Sequence, residues 1–247
     1  MKYLLTAVIA ASLAVSAWGQ MAQMGDIRSV IEYRVKIDRA TDFVDLQKQF
    51  ATELRKAGGT RNRYVFQLMS GPRAYAVVGY FNKWADLDQP PPPNPAITAL
   101  LARINSCVES SERRIDVIDP ALSIRQTDAI PNLVQVVKVS VRPERVNDYL
   151  ALAKSTSLPA FKKAGIKRRI FARARLGAPN TDFVTSTGLE KWADLDGPNP
   201  LQKALGEQGY QDYLTKLSPL IYRAQFDVYR YLPDASYVPA SATSGGN

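Results

Sequence analysis

Two aspartates lie in strand-like segments where a charged side chain is expected to face inward. Asp116 is the middle residue of Ile115–Val117, and Asp227 is the middle residue of the similar segment Phe226–Val228. Because side chains of a strand alternate between its two faces, each Asp points away from its apolar neighbours. A buried carboxylate needs a partner or changes its pKa, so both are candidate site residues. The alternative is an Asp at the rim of a sheet, exposed or salt-bridged.

A basic segment, Lys162–Gly177, contains seven Lys or Arg residues and no acid. Its second part alternates between small apolar residues and a face that carries Phe171, Arg173 and Arg175. The apolar face is expected to lie under helices, which turns the other face toward the interior of the protein. The alternative is that both arginines reach the rim, where they are solvated or paired with surface acids.

The hexapeptide KWADLD occurs twice, at Lys83–Asp88 and at Lys191–Asp196. Six identical residues that include a Trp indicate an internal duplication, with a period too long for a solenoid. Trp84 and Trp192 therefore take equivalent places in the two halves. They are interpreted either as the lining of a cavity or as packing between a strand and the helix that follows it.

The hydrophobic periodicity around these motifs predicts the same element order in both halves, strand-helix-strand-strand-helix-strand. The units are expected at 28–119 and 132–234, joined by a linker at 120–131. One such unit leaves an apolar sheet face uncovered, and two units can bury those faces against each other. We therefore predict an α+β fold in which two tandem ferredoxin-like βαββαβ units form one fused α/β barrel with pseudo-twofold symmetry. The fourth strand of each unit is expected beside the second strand of the other.

Tandem βαββαβ units with a Trp just past the third strand resemble the dimeric α/β-barrel superfamily. Its members include antibiotic-biosynthesis-type monooxygenases, haem-degrading monooxygenases and NIPSNAP-like proteins. Glu190-Lys191-Trp192 matches the Glu-x-Trp that often ends the third strand in monooxygenase-like members, whereas the first unit has Asn82 in place of that Glu. The resemblance implies a cavity lined by the Trp residues, and it makes Glu190 a candidate ligand-binding residue. Haem-degrading members use a histidine on a helix, and this chain contains no histidine.

The absence of histidine also excludes Ser-His-Asp and Cys-His catalysis, His-ligated haem and the usual zinc and copper sites. The sequence has no dinucleotide-binding Gly-rich loop, no metal-ligand cluster and no Cys-x-x-Cys pair. We therefore expect no tightly bound cofactor and no metal site. No residue is assigned a catalytic role from the sequence.

The first 19 residues have the pattern of a signal peptide: Lys2, then an apolar run, then small residues at Val15–Ala17. The apolar run is shorter than a membrane-spanning helix requires, so a periplasmic or secreted protein is expected. The net charge of +9 favours anionic small molecules, lipid headgroups or polysaccharides over nucleic acid as partners, and no nucleic-acid motif is present. The segment 237–247 is rich in Ser, Ala and Gly and is predicted to be disordered. A monomer is expected because the two units supply each other's pairing surface.

Three functional hypotheses remain open from the sequence. The first is a cofactor-independent monooxygenase- or isomerase-like enzyme acting on an aromatic or polyketide-like anion. The second is a binding protein for a small anionic, partly apolar ligand, and the third is an envelope binding or structural protein that uses its basic outer face. In the ligand hypothesis, Arg173 binds the charged end while Asp116 neutralises one arginine. The apolar body of the ligand is expected to contact Tyr64, Phe66, Phe171 and the two Trp residues.

Overall fold

The computed structural model describes residues 25–88, 93–126 and 129–239. The predicted signal peptide, 1–19, and the last part of the predicted tail, 240–247, lie outside the described residues. Among the helices of the described ranges, none combines the length and apolar character needed to cross a bilayer.

The first unit has the predicted element order. Its elements are β1 (Ile27–Val35), α1 (Ala40–Lys56), β2 (Tyr64–Leu68), β3 (Ala74–Phe81), α2 (Pro95–Ser106) and β4 (Val108–Ile118). Helix α1 forms because Phe43, Leu46 and Phe50 recur at helical spacing and bury one stripe against the sheet. Helix α2 begins at Pro95, where the side chain of Asn94 accepts a hydrogen bond from the backbone N–H of Ile97.

The second unit follows the same order after a short strand in the linker. Its elements are β5 (Ile124–Arg125), β6 (Leu133–Val141), α3 (Val146–Leu152), α4 (Leu158–Lys163), β7 (Arg168–Leu176), β8 (Asp182–Leu189), α5 (Pro200–Leu217) and β9 (Ile221–Tyr231). Helices α3 and α4 are continuous through a π turn at Ala153–Ser157. Together these segments contain 18 residues, whereas α1 contains 17. The π turn accommodates the additional residue within a helix of otherwise equal extent.

The eight long strands close into one barrel with the helices outside. The strand order is β4-β1-β3-β2-β9-β6-β8-β7, with β5 at the edge of β7, and β4 also pairs with β7. Phe66 of β2 pairs with Tyr231 of β9, and Asp116 of β4 pairs with Ala174 of β7. The fourth strand of each unit therefore lies beside the second strand of the other, as predicted. Closure leaves the long strands without free edges.

The two faces of β7 point in directions opposite to those predicted. Phe171 is 1% exposed and packs with Tyr149 and Phe183 in the core between the sheet and the helices. Ile170 instead faces the barrel interior, where it contacts Ile118. The interior thus receives the small apolar residues of β7, and the outer layer receives Phe171.

The prediction assigned the apolar face of β7 to the helices, whereas in this barrel that face lines the interior. The two units also differ by one residue before this strand. Tyr64 pairs with Val78 in the first unit, and Ile170 pairs with Ser186 at the equivalent place in the second. Six positions separate Tyr64 from Gly58, the glycine with positive φ after α1, whereas five separate Ile170 from Gly165. Aligning the units on these glycines shifts β7 by one residue, and such a shift exchanges the two faces of a strand.

The start of the predicted tail is also corrected by the structure. Tyr237 is 5% exposed, and its backbone pairs in both directions with Arg63 at 2.8 Å. The Tyr237 hydroxyl donates a hydrogen bond to the carbonyl oxygen of Gly59 at 2.6 Å. The chain is therefore held against the entry to β2 at this residue, beyond the last long strand.

The position of Phe171 in the outer core gives a direct test of the strand facing. Phe171→Ala is expected to lower the free energy of unfolding by about 3–5 kcal/mol, because a large side chain is removed from a packed layer. Phe226→Ala is the matched control, since Phe226 is 66% exposed on β9, and its effect is expected within about 0.5 kcal/mol. Chemical denaturation of both variants measures the difference. Equal, small effects would contradict the assigned facing.

Candidate functional site

The centre of the barrel contains a buried carboxylate shared by two arginines. Asp116 is fully buried, and its Oδ2 accepts hydrogen bonds from Arg28 Nη2 at 2.8 Å and Arg28 Nε at 3.2 Å. Arg114 Nε donates to the same oxygen at 3.3 Å. Arg28 lies directly opposite Asp116 in the β1–β4 register, and Arg114 lies two residues earlier on the same face of β4. The strand pairing therefore places these three side chains together inside the barrel.

The ion pairs continue across the barrel to the second unit. Arg114 Nη1 donates to Glu32 Oε1 at 2.8 Å, and Lys138 Nζ lies 2.8 Å and 3.0 Å from the two oxygens of Glu32. Lys138 is also 3.9 Å from Asp227 Oδ2, which accepts a hydrogen bond from Gln225 Nε2 at 2.9 Å. The resulting ionic network joins three acids and three bases, so its charges balance.

The network keeps Glu32 ionised. Burial alone would raise the pKa of Glu32, but attraction to Lys138 and Arg114 outweighs it and holds that pKa below its ordinary value of 4.5. Burial alone would likewise lower the pKa of Arg114, but the charges of Asp116 and Glu32 raise it above its ordinary value. Glu32 is therefore a structural anion near neutral pH and a poor proton acceptor.

An apolar cavity of about 80 Å³, the inner cavity, lies on one side of this network. It occupies the top end of the barrel, defined as the end where β1 and β6 begin. The residues that line it are mainly aliphatic and aromatic: Val30, Tyr64, Phe66, Val78, Tyr80, Val134, Val136, Ile170, Val184 and Tyr229. Arg28, Glu32, Arg114 and Ser186 form its polar side, toward the ionic network.

The linker between the units covers the top end of the inner cavity. Ile130 and Pro131 line the cavity, and Pro131 packs on Gly188 of β8. A Cβ atom at residue 188 would lie 2.9 Å from Pro131 Cγ, which is closer than real Cβ atoms approach. The glycine therefore permits the linker to seat against the barrel mouth.

Tyr64 contributes a hydroxyl that no described residue satisfies. Its side chain is 1% exposed, lines the inner cavity, and has no hydrogen-bond partner for its hydroxyl among the described residues. Burial, with the neighbouring Tyr80 and Tyr231, raises the pKa of Tyr64 well above its ordinary value of 10, so the hydroxyl keeps its proton. An unsatisfied buried hydroxyl carries an energetic cost, and a ligand with an acceptor oxygen would remove it.

Arg28 lines the same cavity, and its guanidinium has more N–H groups than its hydrogen bonds use. Its Nε and Nη2 bind Asp116, and its Nη1 donates to Ser186 Oγ at 3.2 Å. These contacts use three of the five N–H groups of a guanidinium. The inner cavity thus combines an apolar wall with donors from Tyr64 and Arg28.

Four of the ten predicted site residues lie inside the barrel. Tyr64 and Phe66 line the inner cavity as predicted, and Asp116 and Asp227 belong to the ionic network. The remaining predicted residues lie elsewhere. They are Arg173, Arg175, Trp84, Trp192, Phe171 and Glu190.

Arg173 does not bind Asp116, contrary to the prediction. Its guanidinium lies 5.4 Å from the ring centre of Phe183, and its Nε donates to the carbonyl oxygen of Asn180. Arg175 is exposed. Both arginines belong to the outer face of β7, because that strand has the opposite facing to the predicted one. Arg28 takes the place that the prediction gave to Arg173.

The two Trp residues do not line the inner cavity. Trp84 and Trp192 are 43% and 46% exposed and lie in short 3₁₀ turns that follow β3 and β8. In the second turn, Asp194 accepts hydrogen bonds from the backbone N–H groups of Glu190 at 2.7 Å and Lys191 at 3.1 Å. These bonds hold the pKa of Asp194 below its ordinary value.

The first KWADLD copy makes the same contact, from the N–H groups of Asn82 and Lys83 to Asp86. The repeated motif therefore closes the turn between a strand and the next helix. Glu190 is exposed, and its contact with the motif is made by its backbone N–H.

Sequence reasoning missed Arg28, Glu32, Arg114 and Lys138. Arg28 was missed because it lies near the start of β1, ahead of the alternating residues that mark the strand in the sequence. The signal for Arg114 was present, since Arg114 and Asp116 are two residues apart and share one face. Lys138 could not be paired with Glu32 from the sequence, because that contact crosses between the two units.

Comparisons with known proteins establish the fold. No protein-family model matches the chain. A search of curated proteins also found no match. Solved structures do match: a proposed monooxygenase from Fusobacterium nucleatum subsp. nucleatum has a TM-score of 0.62 at 12% identity, over 86% of this chain and 94% of that one.

Two further solved structures show the same architecture. An anthrone oxidase-like protein has a TM-score of 0.61 at 7% identity, over 92% of this chain and 99% of that one. A mutant chlorite dismutase from Candidatus Nitrospira defluvii has a TM-score of 0.54 at 11% identity, over 87% of this chain and 95% of that one. The chain thus shares its α+β barrel fold with these proteins, and at these identities the similarity concerns the fold alone.

The lowered pKa of Glu32 predicts a pH dependence of stability. Because the folded pKa lies below the unfolded one, ionised Glu32 stabilises the fold fully above about pH 4.5, and this contribution is lost as pH falls through the folded pKa. Glu32→Gln is therefore expected to show a smaller loss of unfolding free energy between about pH 5 and pH 3 than the unmodified protein. Urea denaturation across this range measures the slope.

The control for this measurement is Glu109→Gln, because Glu109 is exposed on β4 and makes no ion pair in the described part of the chain. Its slope is expected to match that of the unmodified protein. If Glu32→Gln and Glu109→Gln give the same slope, Glu32 does not titrate as the ionic network requires.

Proposed function

We propose that this protein binds a small, partly apolar ligand that carries an anionic or electron-rich oxygen, in the inner cavity of the barrel. The observation that supports this most is the buried Tyr64 hydroxyl, which has no partner among the described residues and belongs to the cavity wall. A carboxylate, enolate or phenolate oxygen would accept its hydrogen bond. Arg28 supplies further N–H donors at the same cavity, so the charged end of the ligand is directed to Arg28 and Tyr64.

The apolar wall of the inner cavity determines the chemistry expected for the uncharged part of the ligand. Phe66, Tyr80 and Tyr229 provide aromatic surface, and valines from four strands complete the lining. One water needs roughly 15 Å³ of such space, so about 80 Å³ holds on the order of five waters. A ligand with one ring or a short branched chain fits this space, and a polycyclic ligand requires movement of the linker at Ile130–Pro131.

Ligand binding alone is favoured over a reaction in which a side chain of the protein transfers a proton. Glu32 lines the inner cavity, and its lowered pKa makes this carboxyl group a poor proton acceptor near neutral pH. The cavity in turn favours ligand binding over a barrel filled by its own side chains. Export from the cytoplasm and a single-chain barrel are part of this proposal, supported by the sequence of the first 19 residues and by the strand pairing of both units within one chain.

A second candidate function is cofactor-independent oxygenation of such a ligand. It is supported by the solved structures of similar fold that are described as a proposed monooxygenase and an anthrone oxidase-like protein. An enclosed apolar cavity that holds an enolate or phenolate is the environment this chemistry needs. Oxygen consumption with each bound probe distinguishes this candidate from binding alone.

A thermal-shift screen of small hydrophobic carboxylates and phenols tests the binding proposal. At least one probe is expected to raise the melting temperature, because a ligand that binds only the folded state stabilises it. Tyr64→Phe is expected to weaken that probe by roughly 3- to 10-fold, the value of one hydrogen bond. The free variant should keep its stability, because the lost hydroxyl has no hydrogen-bond partner among the residues that the structure describes.

Two variants control this experiment. Tyr75→Phe removes the hydroxyl of another buried tyrosine, one that packs in the outer core under α1, and is expected to bind the probe normally. Ala76→Leu adds bulk to the wall of the inner cavity and is expected to abolish binding. The proposal fails if no probe raises the melting temperature, or if Tyr64→Phe binds as tightly as the unmodified protein.

A further inference from the structure

The bottom end of the barrel, where β1 and β6 end, contains a second cavity of about 230 Å³, which we name the polar chamber. Glu32, Arg114 and Lys138 border it on one side, and Arg114 and Glu32 also border the inner cavity. The ion pairs of Glu32, at 2.8 Å to both Arg114 and Lys138, therefore divide the two spaces. The function proposed for the inner cavity does not involve the polar chamber.

Three neighbouring strands arrange charged and polar residues across the wall of the polar chamber. Ser140 of β6 pairs with Asp182 of β8 on one side and with Arg223 of β9 on the other. Residues directly opposite in a sheet face the same side, and all three residues line the chamber. Neighbouring strands lie roughly 4.8 Å apart, so about 10 Å separates the backbones of Asp182 and Arg223. An acid and a base thus face one space from positions two strands apart.

Apart from the ion pairs of Glu32, the charged residues around the polar chamber do not pair with one another in the described part of the chain. Asp182 and Glu112 form no salt bridge in the described part of the chain, and neither do Arg113 and Arg223. One oxygen of Asp182, Oδ1, is buried and has no hydrogen-bond partner there. The side-chain contact of Arg223 is with Gln225, at 3.3 Å. Both signs of charge are therefore open to a ligand.

The turn between β7 and β8 completes the wall of the polar chamber, because it packs directly against β4 of the first unit. Gly177 has φ +78°, and a Cβ atom there would lie 2.1 Å from the carbonyl oxygen of Arg113. Only glycine permits that approach, which brings Glu112 and Arg113 of β4 to the same chamber as Asp182. The chamber is therefore assembled from both units.

We propose that the polar chamber is a binding site for a small zwitterion of the amino-carboxylate class. The ammonium group binds Asp182, whose buried oxygen lacks a donor, and the carboxylate binds Arg223, with Glu112 and Arg113 at the rim. A ligand with one charge of each sign matches this wall, whereas a singly charged ligand leaves one side without a partner. About 230 Å³ holds on the order of fifteen waters, so an amino-acid-sized molecule fits.

Titration calorimetry with glycine, β-alanine and 4-aminobutyrate tests the proposal, with n-butylamine and butyrate as singly charged probes. At least one zwitterion is expected to bind at least tenfold more tightly than either singly charged probe. Asp182→Asn and Arg223→Gln are each expected to weaken it at least tenfold. Asp182→Asn should keep the melting temperature of the free protein, because Oδ1 has no donor in the described ranges.

Asp234→Asn and Arg230→Gln are matched controls, because both residues are exposed and neither lines the chamber. Both are expected to bind the zwitterion normally, and so is Tyr64→Phe, which separates this site from the inner cavity. The proposal is overturned if no zwitterion binds, if a singly charged probe binds equally well, or if Asp182→Asn and Arg223→Gln bind normally. Loss of zwitterion binding in Tyr64→Phe would overturn the location.

Discussion

One carboxylate oxygen organises the interior of this barrel. Asp116 Oδ2 accepts hydrogen bonds from Arg28 and Arg114, and Arg114 carries the network on to Glu32 and Lys138. Charges buried in a barrel are tolerated only when each has partners, because an uncompensated buried charge costs several kcal/mol. The register of β1 against β4 provides those partners, so strand pairing and charge pairing depend on each other. A shift of one residue between these strands would separate Arg28 from Asp116.

The network also explains why the interior has two different environments. Above it, the strands contribute valines and aromatic side chains, and the linker closes the barrel mouth. Below it, the strand ends contribute acids, bases and Ser140, and the space is polar. The two proposed sites follow from this division, since a partly apolar ligand suits one space and a zwitterion the other. Glu32 borders both spaces, so it lies between the inner cavity and the polar chamber.

The sequence predicted the architecture because the evidence for it is local and repeated. Period-2 and helical patterns give the order of elements, and the two KWADLD copies give the relation between the halves. The facing of β7 was predicted wrongly because its small apolar face was assigned to the helices, whereas the outer core takes Phe171 instead. Arg28 reaches Asp116 through the pairing of β1 with β4, whereas Arg114 lies on the same strand as Asp116 and could have been predicted as a partner. The Trp residues were misassigned because the KWADLD turn uses its Asp for hydrogen bonds and leaves the Trp half exposed.

Arg28 and Asp116 are expected to stabilise each other inside the closed barrel. A double-mutant cycle with Arg28→Gln, Asp116→Asn and the combined variant measures this coupling directly from their free energies of unfolding. A coupling free energy of about 1–3 kcal/mol is expected, because each single variant leaves a buried group without its partner and the second substitution relieves that cost. Additive effects, with a coupling within about 0.3 kcal/mol of zero, would contradict the buried network and the division of the interior that follows from it.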